Sequence, residues 1–213
     1  MNNIFEGVFK FKNEDYEKHK NLFAELESGQ NPHTLFIGCS DSRVVPSLIT
    51  KTLPGELFMV RNIANMVPPY RETEEYVSTT SAIEFAIEVL NVKNIVVCGH
   101  SNCGGCASLY KSEEELKNVP HVRKWLELAN PVKEYVLNNI KAEEKRGMGG
   151  VNKSLLTEQF NIVHQLDNLF TYPFIKEKYS KKEINIYGWY YMIGTGEVYN
   201  YDKKNGSFNI IAK

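Results

Sequence analysis

Four apolar runs in this chain are too short for helices and are bounded by polar or turn-forming residues, which marks them as strands. They span residues 34–38, 57–61, 94–99 and 184–193, the last rich in β-branched and aromatic side chains. Elsewhere the period lengthens to that of a helix. Residues 3–28 carry Ile4, Val8, Phe11, Leu22, Phe23 and Leu26 among charges, with Gly29 as a stop. Residues 74–90 place Tyr76, Thr80, Ile83, Ile87 and Leu90 on one face. Short helices are expected at 44–50, where Pro46 falls in the first turn, and at 104–110. Residues 119–145 read as a charge-laced helical region interrupted by Pro131, and 154–170 as a helix with Leu155, Ile162, Leu166 and Leu169 on its apolar side. Pro54-Gly55, the G-M-G-G run at 147–150, residues 194–196 and Asn205-Gly206 mark turns, the last closing a small antiparallel addition.

Strands alternating with helices predict an α/β fold. The central β-sheet is mainly parallel and covered by helices on both faces, with an N-terminal helical arm over about residues 1–30. The chain of 213 residues fits one domain, 1–213. A net charge of −1 gives no electrostatic footprint for nucleic acid or an anionic membrane, and no run of apolar residues is long enough to span a bilayer. The N-terminus, M-N-N-I-F-E-G-V-F-K, lacks the charged start and long apolar core of a secretory signal. Four cysteines in a chain this long do not make a disulfide framework, so the expected setting is the reducing cytoplasm.

Chemistry gathers where two strands end. In parallel sheets ligands bind at the C-terminal ends of strands. The 34–38 strand runs into Cys39, followed by Asp41 and Arg43, and the 94–99 strand runs into His100 and Cys103. Three readings of the cysteines compete. Cysteine is often a small buried hydrophobe, and that reading suits Cys98 within I-V-V-C-G. Cys103 and Cys106 form a C-G-G-C pair at a helix start, which fits a dithiol redox site but leaves Cys39, Asp41, Arg43 and His100 without a role. The third reading is a metal held by Cys39, His100 and Cys103. Thiolate and imidazole donors suit Zn²⁺, and three protein ligands leave a position for chemistry. Asp41, two residues from Cys39, points the same way in an extended segment and is a candidate fourth ligand in an inactive state, or a holder of bound water. Arg43 continues that series and can grip the Asp41 carboxylate through two parallel hydrogen bonds, although exposed pairs of this kind are also common as plain surface salt bridges. Cys106 could approach the same ion only from the next helical turn. Among the other histidines, His33 near Gln30 is a candidate proton shuttle, while His19, His121 and His164 read as surface residues.

The segments C-S-D-S-R at 39–43 and G-H-S-N-C-G-G at 99–105 resemble the two signature segments of the β-class carbonic anhydrases. Residues 54–69, P-G-E-L-F-M-V-R-N-I-A-N-M-V-P-P, and 168–175, N-L-F-T-Y-P-F-I, are also similar to that family. The resemblance implies one Zn²⁺ per chain on Cys39, His100 and Cys103, an Asp41–Arg43 dyad beside it, and hydroxide activated by the metal attacking CO2 to give bicarbonate and a proton. It implies that Gln30 donates to the substrate and that Phe58 forms an apolar wall of the CO2 pocket. Gly104 and Gly105, at a helix start, allow close backbone approach and leave amides free near an anion, which makes Gly104 a substrate-binding candidate. The resemblance further implies a homodimer or homotetramer, with the N-terminal helix crossing to a partner and the pocket at the interface. Two positions depart from the family pattern. Phe85 stands where a tyrosine is frequent, and Phe36 stands where one branch has a tryptophan linked to an inhibitory bicarbonate site, although Gly38 matches that branch.

Two thiolates place more negative charge on the metal than three imidazoles do, so the activated water is expected to be less acidic than the pKa of ~7 reached in three-histidine sites. If Asp41 leaves Arg43 for the metal at low pH, where little hydroxide competes, activity is lost there.

Overall fold

Two central strands, β1 (Thr34–Cys39) and β3 (Asn94–His100), lie parallel and adjacent, and nearly every residue in them is buried. Burial on both faces is why they read as unbroken apolar runs rather than alternating ones. β2 (Leu57–Asn62) pairs parallel with β1, and β4 (Asn185–Tyr191) pairs parallel with β3. β5 (Val198–Asp202) and β6 (Ser207–Ile210) add antiparallel, completing the order β2-β1-β3-β4-β5-β6. The β5–β6 turn holds Gly206 at φ +64, a conformation that glycine enters freely. This computed structural model describes residues 3–72, 77–146 and 150–212.

The N-terminal arm is α1 (Asn3–Lys10), a π-helical turn at Phe11–Asp15, α2 (Tyr16–Lys18) and α3 (Lys20–Leu26). No residue of these segments is buried, and Ile4, Phe5, Val8 and Phe9 are 61–73% exposed. Then come α4 (Pro46–Thr50), α5 (Ser78–Glu84) with a π-helical continuation at Phe85–Val89, and α6 (Gly104–Ser108). α7 (Pro120–Leu126), α8 (Asn130–Lys145), α9 (Lys153–Leu169) and α10 (Pro173–Ser180) complete the set among the described residues. The expected helical start at 74, with Tyr76, and positions 147–149 of the glycine-rich break lie outside the described residues. Pro131 does not interrupt a helix. Its ring sits in the first turn of α8, where the missing N–H is not needed, and a 3-10 turn at Glu127–Ala129 separates α7 from α8.

Leu35, Ile37, Ile95 and Val97 meet Ile83, Ile87, Ile162, Leu169 and Ile175 in the main core. On the reverse face Phe36, Val96 and Cys98 pack with Trp189 and Tyr191, so Cys98 is a core residue as expected. Phe36 is fully buried, edge-on to Trp189 at 6.2 Å between ring centroids. A third cluster closes the C-terminal end of the sheet, joining Cys39, Cys103 and Cys106 to Ala64, Met66, Leu109, Leu126 and Val132.

Candidate metal centre and active site

β1 ends at Cys39 and β3 at His100, and the chain then turns through Ser101 and Asn102 to Cys103, the residue that begins α6. Asn102 takes φ +55, one of few residue types that enter the left-handed region readily. The two cysteine sulfurs and a ring nitrogen of His100 all lie within 4.8 Å of one another, and all three residues are buried. His100 donates through Nδ1 to the Ser101 carbonyl at 3.0 Å, which leaves Nε2 as the nitrogen with a free lone pair. That Nε2 is buried and makes no hydrogen bond. A buried imidazole nitrogen facing two sulfurs without a partner is costly unless an ion coordinates it, and the donor set suits Zn²⁺.

Without a metal the thiols are poor acids. Contact with the Cys103 thiol, then burial, pushes Cys39 up to about 12. Cys103 rises to about 12, first through Cys106 and, against the lowering effect of Cys39, through burial. Burial opposes the charged form of His100, but the adjoining Cys39 sulfur, the Ser101 carbonyl and Asp41 together raise its pKa above the usual value.

Asp41 Oδ1 accepts from the Arg43 backbone N–H at 3.0 Å and from Nε at 2.9 Å, and Oδ2 accepts from Nη2 at 2.7 Å. This two-pronged grip holds the carboxyl well below the usual carboxylate range. Oδ2 lies 3.9 Å from His100 Nε2, so the carboxylate borders the metal cluster. Nη2 of Arg43 also donates to the Asn102 carbonyl at 3.0 Å, tying the two ligand loops together.

Sequence reasoning missed the residues that fix these loops. Arg61 on β2 donates to the carbonyls of Cys39 at 3.0 Å and Asp41 at 2.7 Å. Beyond β2, Ala64 and Asn65 adopt φ +62 and +46. Trp125 Nε1 donates to the Ile63 carbonyl, Asn161 to that of Ala64 and Asn168 to that of Val67, while Gln165 accepts from the Val67 N–H. Asn161, Gln165 and Asn168 are polar residues at buried positions of α9, a pattern visible in the sequence as polar side chains on an otherwise apolar face.

The close fit continues at Gly105. A Cβ there meets Ala64 Cβ at 2.9 Å and the Ala64 backbone nitrogen at 3.2 Å, and backbone cannot step aside. Gly105→Ala should cost about 1–3 kcal/mol, lowering Tm by roughly 2–4 °C per kcal/mol, as a thermal melt would read. An unchanged melting temperature would contradict this packing. Gly104, by contrast, has open space beside it and directly follows Cys103.

Gln30 and Phe58 are not brought to this cluster within one chain. Gln30 precedes β1, and Phe58 pairs with Leu35 near its beginning, whereas Cys39 pairs with Asn62 at its end. At ~3.3 Å per residue, Phe58 is about 13 Å along the sheet from the metal cluster. Phe58 stacks on Phe85 at 5.9 Å between centroids, forming an aromatic pair at the opposite end of the strands. His33 is at that end too, with Nδ1 2.6 Å from Thr34 Oγ1. His121 is exposed, and His19 and His164 are half-buried.

A three-ligand thiolate and imidazole cluster with an acid–base pair at its border defines a metal-dependent enzyme of the catalytic rather than the structural zinc class. A family model described as carbonic anhydrase matches residues 34–198. A carbonic anhydrase of Helicobacter pylori is 42% identical over 98% of this chain and 94% of its own length. The structure of the β-carbonic anhydrase CcaA superposes with a TM-score of 0.89 at 36% identity, covering 98% of both chains. One of two tetrameric β-carbonic anhydrases from Sordaria macrospora gives a TM-score of 0.69 at 31% identity, covering 93% of this chain and 92% of its own. The chain belongs to the carbonic anhydrase family, in its β class, whose zinc enzymes hydrate CO2 reversibly to bicarbonate and a proton.

Proposed function

We propose that Cys39, His100 and Cys103 hold one Zn²⁺ and that Asp41, fixed by Arg43, works beside it on water and CO2. The buried, unpartnered Nε2 of His100, a residue clustered with the two cysteines, is the observation that carries this reading. Zn²⁺ held by these three side chains would supply Lewis-acid activation of water. Asp41 Oδ2 accepts a hydrogen bond from the attacking water and aims its lone pair at the CO2 carbon. Arg43 keeps that carboxylate ionised and turned to the cluster. A carbon–oxygen bond forms, bicarbonate leaves, and the proton passes to buffer. The Gly104 backbone, unobstructed on its outer side, borders the substrate.

The site is completed by a second copy of the chain, which brings Gln30 as a donor to the substrate and Phe58 as an apolar wall. Their position at the far end of the sheet supports this, as do the exposed apolar side chains of α1. The unit is a homodimer or a homotetramer of one-domain chains, residues 1–213, with the arm of about 1–30 reaching across. Four free, buried thiols support a reducing, cytoplasmic setting.

The test is titration of metal-stripped protein with Zn²⁺, following both CO2 hydration and proton release. Thiols raised to about 12 are protonated at pH 8, and zinc takes thiolates, so uptake of one equivalent should release about two protons and restore hydration. Apparent affinity should therefore climb with pH across the neutral range. Uptake with no proton release, or full hydration without zinc, would refute the ligand set.

A further inference from the structure

Glu158 carries a buried carboxyl group that nothing above uses. It sits on α9 at 2% exposure, three residues after Leu155 and four before Ile162, on the stripe that faces the sheet. Oε1 accepts from the Cys103 backbone N–H at 2.9 Å and from Ser154 Oγ at 3.1 Å, and Oε2 accepts from the Tyr190 hydroxyl at 2.7 Å. None of the ion pairs among the described residues includes it. Among the described residues it is held by three hydrogen-bond donors and no cation, so a buried polar group is satisfied by specific partners. One of those donors is the backbone nitrogen of Cys103, a residue of the metal cluster.

That place matters because little else restrains it. Cys103 begins α6 with no side-chain cap, and α6 is only five residues long. The loop before it contains a left-handed Asn102, and His100 is fixed separately at the end of β3. Arg43 restrains Asn102 through its carbonyl, and Glu158 restrains Cys103 through its nitrogen. The carboxylate is itself held from β4 by Tyr190, so its position does not depend on a bound ion.

We infer that Glu158 is a positioning residue for the metal centre, clamping the Cys103 peptide so that its sulfur already faces Cys39 and His100 before the ion arrives. The inference rests on the zinc reading above. What Glu158 provides is reach, an acceptor placed at the Cys103 nitrogen. A glutamine keeps that reach, since its Oε1 can take the Cys103 N–H while its amide donates to a rotated Tyr190 hydroxyl. An aspartate keeps the carboxyl group and loses the reach by one methylene.

The experiment measures Zn²⁺ affinity by chelator competition, and the visible spectrum of the Co²⁺-loaded protein, for wild type, Glu158→Gln and Glu158→Asp. Glu158→Asp should bind zinc about 10–100-fold more weakly, with altered cobalt ligand-field and thiolate bands, while Glu158→Gln stays within about threefold of wild type with wild-type bands. Melts of the metal-free proteins separate this from a purely structural role, which would lower their Tm while leaving metal affinity and cobalt spectra unchanged. Wild-type affinity in Glu158→Asp overturns the inference, as does a glutamine variant as weak as the aspartate. Should Glu158→Asp fail to fold, Glu158→Ala gives the same reading, with the same expected loss and the same refutation. A wild type that takes up no zinc refutes the zinc reading itself, a result distinct from all of these.

Discussion

Cys103→Ala should leave a folded protein that no longer retains zinc and no longer hydrates CO2 at a measurable rate. The magnitude follows from sharing out binding energy. Four-ligand zinc sites in small proteins are worth ~10–16 kcal/mol, so one ligand in four accounts for about 2.5–4 kcal/mol. Losing that share weakens binding by roughly a hundred- to a thousandfold, enough for dialysis against a mild chelator to strip the ion. Cys39→Ala and His100→Ala should behave alike, because the three ligand atoms form one cluster and none is spare. Cys106→Ser is the discriminating control. Cys106 is buried one helical turn beyond Cys103 and lies outside the three-residue cluster, so this variant should keep its zinc and most of its turnover. A dithiol mechanism requires the reverse, with Cys106 as sensitive as Cys103 and Cys39 indifferent. Metal content by atomic absorption, alongside stopped-flow hydration, decides between them. Zinc retained at wild-type level by Cys103→Ala would dismiss the cluster as the metal site.

How much of this centre could be read from the sequence follows from which forces placed each residue. Cys39 and His100 were legible because β1 and β3 are buried on both faces, so each appears as a plain apolar run whose end is unmistakable. The Asp41–Arg43 pairing was legible from its two-residue spacing and is made in full. The turn at Ile63–Asn65 was not. Ala64 and Asn65 enter left-handed backbone conformations with no glycine to announce them, and long-range bonds from α7 and α9 hold them there. α10 is not among the helices expected above, although its first residue, Pro173, is well suited to a helix's first turn. Glu158 is not announced by its residue type, since a lone glutamate on a helix is most often solvated. Its interval from Leu155 and Ile162 is the pattern that places it inside.

Chain direction also separates Gln30 from the metal. Gln30 lies before β1 and Cys39 at its end, so the length of the strand keeps them apart within one chain. A two-fold axis that set the starting end of one sheet against the finishing end of another would remove the difficulty. Co-expression of two inactive chains puts this to the test. On the function proposed above, Gln30→Ala should remove a substrate donor, with an expected loss of ~10²-fold in hydration, and Cys103→Ala should remove the metal. In a mixed pair the zinc of the Gln30→Ala chain meets the intact Gln30 of the Cys103→Ala chain, restoring one complete site. The second site of that pair carries both defects. Random pairing makes half the dimers mixed, each with one good site in two, so the mixture should recover roughly a quarter of wild-type activity from parents that have almost none. If Gln30 acted within its own chain, mixing would give no more than the average of the two parents. Hydration rates of the co-expressed and separately expressed proteins, at equal chain concentration, therefore report whether the pocket is built by one copy or by two.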